Sequence, residues 1–326
     1  MNRNLALILV AGRRLLGGLL LLVGASFLIY FTIRSAPGDA VDAITPMGTP
    51  PEVKEKLAAD FGLDQGLVAG YVTWLGRSAK GDFGESLVFE PGSEVMKIAA
   101  PAFKRTLLLS AGALTSCMVL AMALAAFLGE PSRRQQWATG LLYFITAAPA
   151  FVAAVFFSQG INWFVRTFVE ANGYDTPPWY PIPIYTGESL MPYCFAGVVL
   201  VLGDGLFMDV MNTIRAELLA LRNSQFIAAV KAKGASTLPH TVLNLIVPLL
   251  STFASRLPLV LGGVVIVEYV FTLDGAGYLL LEASKQRDFP VVVGLSVLFT
   301  LAVIVVNLTA DLVRAMVDPR EVARNG

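Results

Sequence analysis

Apolar residues in this chain fall in long unbroken runs, and about twenty in a row is what a helix rising about 1.5 Å per residue needs to cross hydrocarbon. Six such runs stand out, at 15–33, 106–129, 137–165, 191–211, 242–271 and 289–310. The first two contain no charged residue. The third holds Pro149, whose missing N–H predicts a kink or a tilted span. The fourth is interrupted by Asp204 and Asp209, and the fifth carries Pro248, Arg256 and Pro258. A backbone in hydrocarbon must pair all its polar groups internally, so runs of this kind are expected to be helices. The pattern predicts an all-α integral membrane protein with six transmembrane helices.

Composition agrees: 56% of the residues are hydrophobic, 15% are charged and the mean hydropathy is +0.67, well beyond a soluble domain. The formal charge is zero, which gives no reason to expect nucleic acid as a partner. Cys117 and Cys194 each lie in an apolar run, where cysteine behaves as a small hydrophobe. Arg13 and Arg14 ahead of the first run resemble the start of a signal peptide, but that run is long enough to span and no small-x-small cleavage site follows. It is expected to be a retained first helix.

Short connections set the orientation, because Lys and Arg collect on the cytoplasmic side. With the N-terminus inside, the cytoplasmic segments hold Arg3, Arg13, Arg14, Arg133, Arg134, Arg215, Arg222, Lys231, Lys233, Arg314, Arg320 and Arg324. The two short outer connections hold only Arg166, Lys285 and Arg287. The long segment between the first two spans is exempt from this rule. Both termini are therefore expected to be cytoplasmic. The chain divides into 1–34, the N-terminal end and first span; 35–105, a helical periplasmic insertion; and 106–326, a five-helix core. Within the insertion, Pro50-Pro51-Glu52 predicts a helix start running to Phe61, and 71–77 a second helix. The second outer connection, 172–188, is dense in proline and aromatics and suits the membrane interface.

The cytoplasmic segment 215–240 is polar yet patterned. Ser224 predicts a helix cap, Phe226, Ile227 and Val230 lie close on one side, Lys231 and Lys233 suit the last turn, and Gly234 predicts a left-handed stop. An exposed Phe/Ile/Val face beside two lysines would fit a partner's groove. A connecting helix lying on the lipid surface has the same composition.

Ala228-Ala229-Val230-Lys231-Ala232-Lys233-Gly234, followed by Leu245-Ile246-Val247-Pro248, resembles the coupling loop of binding-protein-dependent ABC importers, with Ala228 where that family carries Glu. Further segments are similar to the first permease of the dipeptide, oligopeptide and nickel group. They are Ala36-Pro37-Gly38-Asp39, Phe61-Gly62-Leu63-Asp64, Trp74-Leu75, Lys80-Gly81-Asp82-Phe83-Gly84-Glu85-Ser86, Val267-Glu268-Tyr269-Val270-Phe271, Arg287-Asp288-Phe289-Pro290 and Asp318-Pro319-Arg320. The resemblance implies a type I ABC importer permease of the bacterial inner membrane. It implies as partners a homologous second permease, two cytoplasmic ATPases that bind ATP and Mg, and an extracytoplasmic binding protein delivering peptides or a related solute. Phe226, Ile227, Ala228, Ala229, Val230, Lys231, Lys233 and Gly234 would then couple the chain to an ATPase.

The chain has no Gly-x4-Gly-Lys-Ser/Thr loop, so ATP and Mg are expected on partners, with no cofactor or metal and no catalytic residue of its own. Charges inside spans usually face a protein interior or a water-filled path, which makes Asp204, Arg256 and Glu268 candidates for the translocation pathway. Asp209 is a candidate too, but Asp209 and Glu268 lie near predicted span ends, where pairing with the partner permease or placement in the head-group region is the favoured reading. His240 is the only histidine and cannot build a metal site alone. A secondary transporter, a membrane-embedded enzyme and a purely structural subunit remain alternative readings, although no internal repeat and no cluster of His, Glu or Ser in the spans supports the first two.

Overall fold

The computed structural model describes residues 3–35, 41–42, 45–128, 133–171 and 190–317. The segments Ala36-Pro37-Gly38-Asp39, 172–188 and Asp318-Pro319-Arg320 lie outside the described residues. Among those described, the chain is helical: α1 (Arg3–Arg34), α2 (Pro51–Asp60), α3 (Leu67–Ser78), α4 (Val95–Leu128), α5 (Arg133–Thr146), α6 (Ala150–Ala171), α7 (Met191–Leu202), α8 (Leu206–Arg222), α9 (Gln225–Ala232), α10 (Leu238–Val270), α11 (Ala276–Gln286) and α12 (Phe289–Val317). A single antiparallel bridge joins Glu85 and Glu94.

Among the described residues, five stretches are long and apolar enough to cross a membrane: Leu15–Thr32, Val95–Ala125, Met191–Arg222, Pro239–Val270 and Phe289–Leu312. The sixth predicted run is two helices meeting at 91°, Thr139–Thr146 and Ala150–Phe168. Pro149 was expected to kink one span, and the chain instead breaks there. The second span starts earlier than its apolar run, because α4 continues through Lys97, Lys104 and Arg105 with Pro101 in its first turns. Leu15, Leu16, Leu19, Leu20 and Leu28 are exposed along α1, apolar side chains suited to meet lipid or another subunit.

The contacts divide the chain into two compact units. One comprises the described residues of 3–106 and 274–309, so the last span groups with the first and with the helical segment between spans one and two. Here α2 begins with Pro51 at its first position and ends at Gly62, whose φ of 63° closes the helix as Leu63 N–H donates to Ala58 C=O at 2.7 Å. Tyr71 and Trp74 of α3 pack on Tyr30 of α1, and the Tyr71 hydroxyl donates to Val23 C=O at 2.9 Å. Gly62 and Gly70 meet backbone to backbone: a Cβ on Gly70 would lie 2.2 Å from Gly62 O. Arg34 caps the arrangement by donating to Leu63 and Gln65 carbonyls. Outside the spans, Lys56 donates to Glu85 at 2.7 Å, which holds its ammonium above the usual lysine range.

Two of the motif segments meet in this unit although they lie some 200 positions apart. Asp288, fully buried between α11 and α12, accepts from the Ser86 hydroxyl at 2.7 Å and from the Leu87 and Val88 N–H groups at 3.1 and 2.9 Å. Arg287 before it takes a left-handed φ of 60°, and Asp288 N–H donates back to Ala283 C=O to close α11.

The other unit comprises Leu107–Leu273 and Ala310–Pro319. In it α10 packs against α6, α7 and α8, α5 lies on α8, and the short α9 rests on α8.

Candidate functional site

The segment singled out for coupling folds as a helix, α9, with the expected ends. Ser224 Oγ accepts from Ile227 N–H at 3.3 Å, capping the first turn. At the other end Gly234 has a φ of 69°, Gly234 N–H donates to Lys231 C=O at 2.9 Å, and Ala235 N–H donates to Val230 C=O at 3.2 Å. That is the six-to-one and five-to-two pattern of a glycine-terminated helix.

The expected apolar knob is divided. Ile227 and Val230 are 2% and 8% exposed and lie against the chain's own helices, while Phe226 is 50% exposed. The reason is helical geometry: positions three apart share a stripe, and adjacent positions diverge by about 100° at 3.6 residues per turn. The Ile227/Val230 stripe anchors α9, leaving Phe226, Ala228, Ala229, Lys231 and Lys233 on the exposed side. Phe226 is steadied by His240, ring edge to ring face at 5.6 Å. His240, without a role in the sequence pattern, carries one signal there, its place just beyond the α9 stop.

The charged residues of the spans separate into three environments. Arg256 on α10 pairs with Asp209 on α8 at 3.1 Å, both side chains partly exposed at 33% and 47%. Asp209 thus has its structural partner inside this chain. Glu268 is 1% exposed, enclosed near the end of α10. Asp204 sits at the break of the fourth span with a φ of 55°, and its Oδ1 accepts from Ala150 N–H at 3.1 Å, the start of α6. Arg256 and Asp204, expected in one pathway, are therefore engaged with different partners. Among the described residues no group of three or more His, Cys, Asp or Glu could hold a metal ion.

What this arrangement offers is mechanical. It combines a short, firmly ended helix with an exposed aromatic and two cations, broken apolar spans, and a half-exposed ion pair between two of those spans.

Comparison with known proteins agrees with that character. Residues 117–322, more than half of the chain, match the family described as binding-protein-dependent transport system inner membrane component. A provisionally named peptide permease protein of Brucella ovis is 30% identical over 322 residues, covering 94% of this chain and 97% of the relative. The oligopeptide transport system permease protein AppB of Bacillus subtilis is 27% identical over 323 residues, covering 94% and 97%. The glutathione transport system permease protein GsiC of Shigella flexneri is 27% identical over 319 residues, covering 94% and 96%. The match lends no support to a secondary transporter. The chain belongs to the family of inner-membrane components of binding-protein-dependent transport systems and is a multi-pass permease subunit of an ATP-binding-cassette importer.

Proposed function

We propose that the chain forms half of a translocation pathway with a homologous second permease, and that α9 is the coupling helix gripped by one of two cytoplasmic ATPases. The observation that carries this reading is the division of α9: Ile227 and Val230 hold it to the body while Phe226 and two lysines project. A helix fastened on one side and presented on the other transmits a push instead of rolling away from it. ATP and Mg would bind the ATPases, and their closure would move the coupling helices and switch the pathway between inward-facing and outward-facing states. Ala228 and Ala229 let the partner approach closely, Lys231 and Lys233 offer charge at the rim, and Gly234 fixes where the helix ends.

The same reading puts both termini and α9 in the cytoplasm, and the helices α2 and α3 on the outer side, where a binding protein delivers cargo. The Arg256–Asp209 pair, half-exposed between α10 and α8, is the part of the pathway this chain contributes most plainly. The relatives' names support a peptide or a related small solute as cargo. A photo-crosslinking residue at Phe226 tests the coupling role in the intact complex. It should capture an ATPase subunit, whereas the same residue at Phe156 on α6, which is also exposed, should not. Capture of lipid alone at position 226 would sink the proposal.

A further inference from the structure

The third and fourth spans break at the same place. α5 ends at Thr146 and α6 begins at Ala150 after the 91° turn, with Pro149 between them. α7 ends at Leu202 and α8 begins at Leu206, separated by Asp204 and Gly205 in left-handed conformations with φ of 55° and 69°. The two breaks are stitched to each other by a reciprocal pair of hydrogen bonds. Asp204 N–H donates to Ala148 C=O at 3.0 Å, and Asp204 Oδ1 accepts from Ala150 N–H at 3.1 Å. The backbones touch: a Cβ on Gly203 would lie 2.5 Å from Ala150 Cα and 2.6 Å from Ala150 Cβ. Gly263 of α10 closes the third side, with a Cβ there 3.6 Å from Asp204 Oδ2.

Each part answers a need. A break inside an apolar span frees N–H groups that hydrocarbon cannot satisfy. Pro149 has no N–H to free, and Ala150 hands its own to Asp204. Among residues with a side chain, Asp and Asn enter the left-handed region most readily, and both carry an oxygen that caps a helix start. Asp204 therefore meets the backbone and the capping requirement together.

We propose that Asp204 is a positioning residue that staples the break of span three to the break of span four, so that the two move as one body during transport. The staple needs an acceptor oxygen at this position and a bare Gly203, and does not need the negative charge. Asp204 thereby acts through Ala150 and not by touching cargo, which separates it from the pathway residues considered above.

The test uses the full complex in proteoliposomes and reads transport together with hydrolysis stimulated by loaded binding protein. Asp204→Asn keeps the acceptor and the left-handed preference and removes the charge, so it should retain transport within about twofold. Asp204→Ala loses the cap and the preference, and Gly203→Ala drives the backbones apart while leaving the carboxylate in place. Both should lower stimulated transport by about tenfold, the scale of a lost helix cap. Assembly with the ATPases is scored alongside, so that a complex that forms without transporting is told apart from one that never forms. An Asp204→Asn complex that assembles but does not transport overturns the staple and assigns the function to the charge; so does an Asp204→Asn chain that fails to assemble, or a Gly203→Ala complex that transports normally.

Discussion

Replacing Asp288 with alanine removes in one step the acceptor for the Ser86 hydroxyl and the Leu87 and Val88 N–H groups. A hydrogen bond to a charged acceptor contributes about 1.5–3 kcal/mol net, so the gross loss is bounded near roughly 9 kcal/mol. The mutant also escapes the desolvation that burying a carboxylate carries, which offsets a large part of that bound. A net loss of about 3 kcal/mol remains, about 1 kcal/mol for each of the three donors left without an acceptor. The consequence is local, because these bonds tether residues 82–88 to the start of α12. A tether weaker by about 3 kcal/mol raises the open population about a hundredfold, and protease cleavage tracks that population when reclosing is fast. Cleavage within residues 81–94 should therefore accelerate by about two orders of magnitude in Asp288→Ala held in lipid nanodiscs. Ser86→Ala, which deletes one donor of the set, should accelerate it by about tenfold. Cleavage of Asp288→Ala within about threefold of wild type would show that Asp288 does not tether this segment.

Three further outcomes follow from geometry. Gly70→Ala places a methyl 2.2 Å from Gly62 O and 2.3 Å from the Tyr30 hydroxyl oxygen, so α3 must lift from α1; the expected destabilisation is about 3 kcal/mol or more, read as faster proteolysis of residues 62–70. Gly234→Val has open space around its side chain but a φ of 69°, so conformation alone costs about 1–2 kcal/mol, while Gly234→Asn should stay nearly neutral; helix-end hydrogen exchange in α9 separates them. Arg256→Gln breaks a half-exposed pair worth about 1 kcal/mol or less, so assembled protein should stay within about twofold of wild type while transport falls by about tenfold if the pair lines the pathway.

Several elements were legible in the residues. Ser224 and Gly234 announced both ends of α9, Pro51 announced the start of α2, and the apolar runs marked the spans, because each of these signals is local. What stayed hidden depends on partners far along the chain. Pro149 signalled a kink, but the right-angled break rests on an acceptor supplied by Asp204, 54 positions away. The Gly203-Asp204-Gly205 run is itself a turn signal inside an apolar stretch, and it was available as a pointer to the fourth span's break. The division of α9 was equally hidden: a helix this short shows its apolar positions but not which of them its own protein covers. Asp288 and Ser86 drew notice only as parts of resembling motifs, and their contact supplies a physical reason for the two segments to occur together.

Coupling of this chain through α9 to ATP hydrolysis performed elsewhere is open to a plain assay, hydrolysis by the purified complex in lipid. Wild type is compared with Phe226→Asp, which alters the exposed side of α9 and spares the buried Ile227 and Val230. Coupling through α9 requires that loaded binding protein stimulate hydrolysis several-fold in wild type and that the stimulation fall by about tenfold in the variant, the scale of losing one buried aromatic anchor at an interface. Full stimulation of an assembled Phe226→Asp complex, or transport by a wild-type preparation with no ATPase bound, would contradict it.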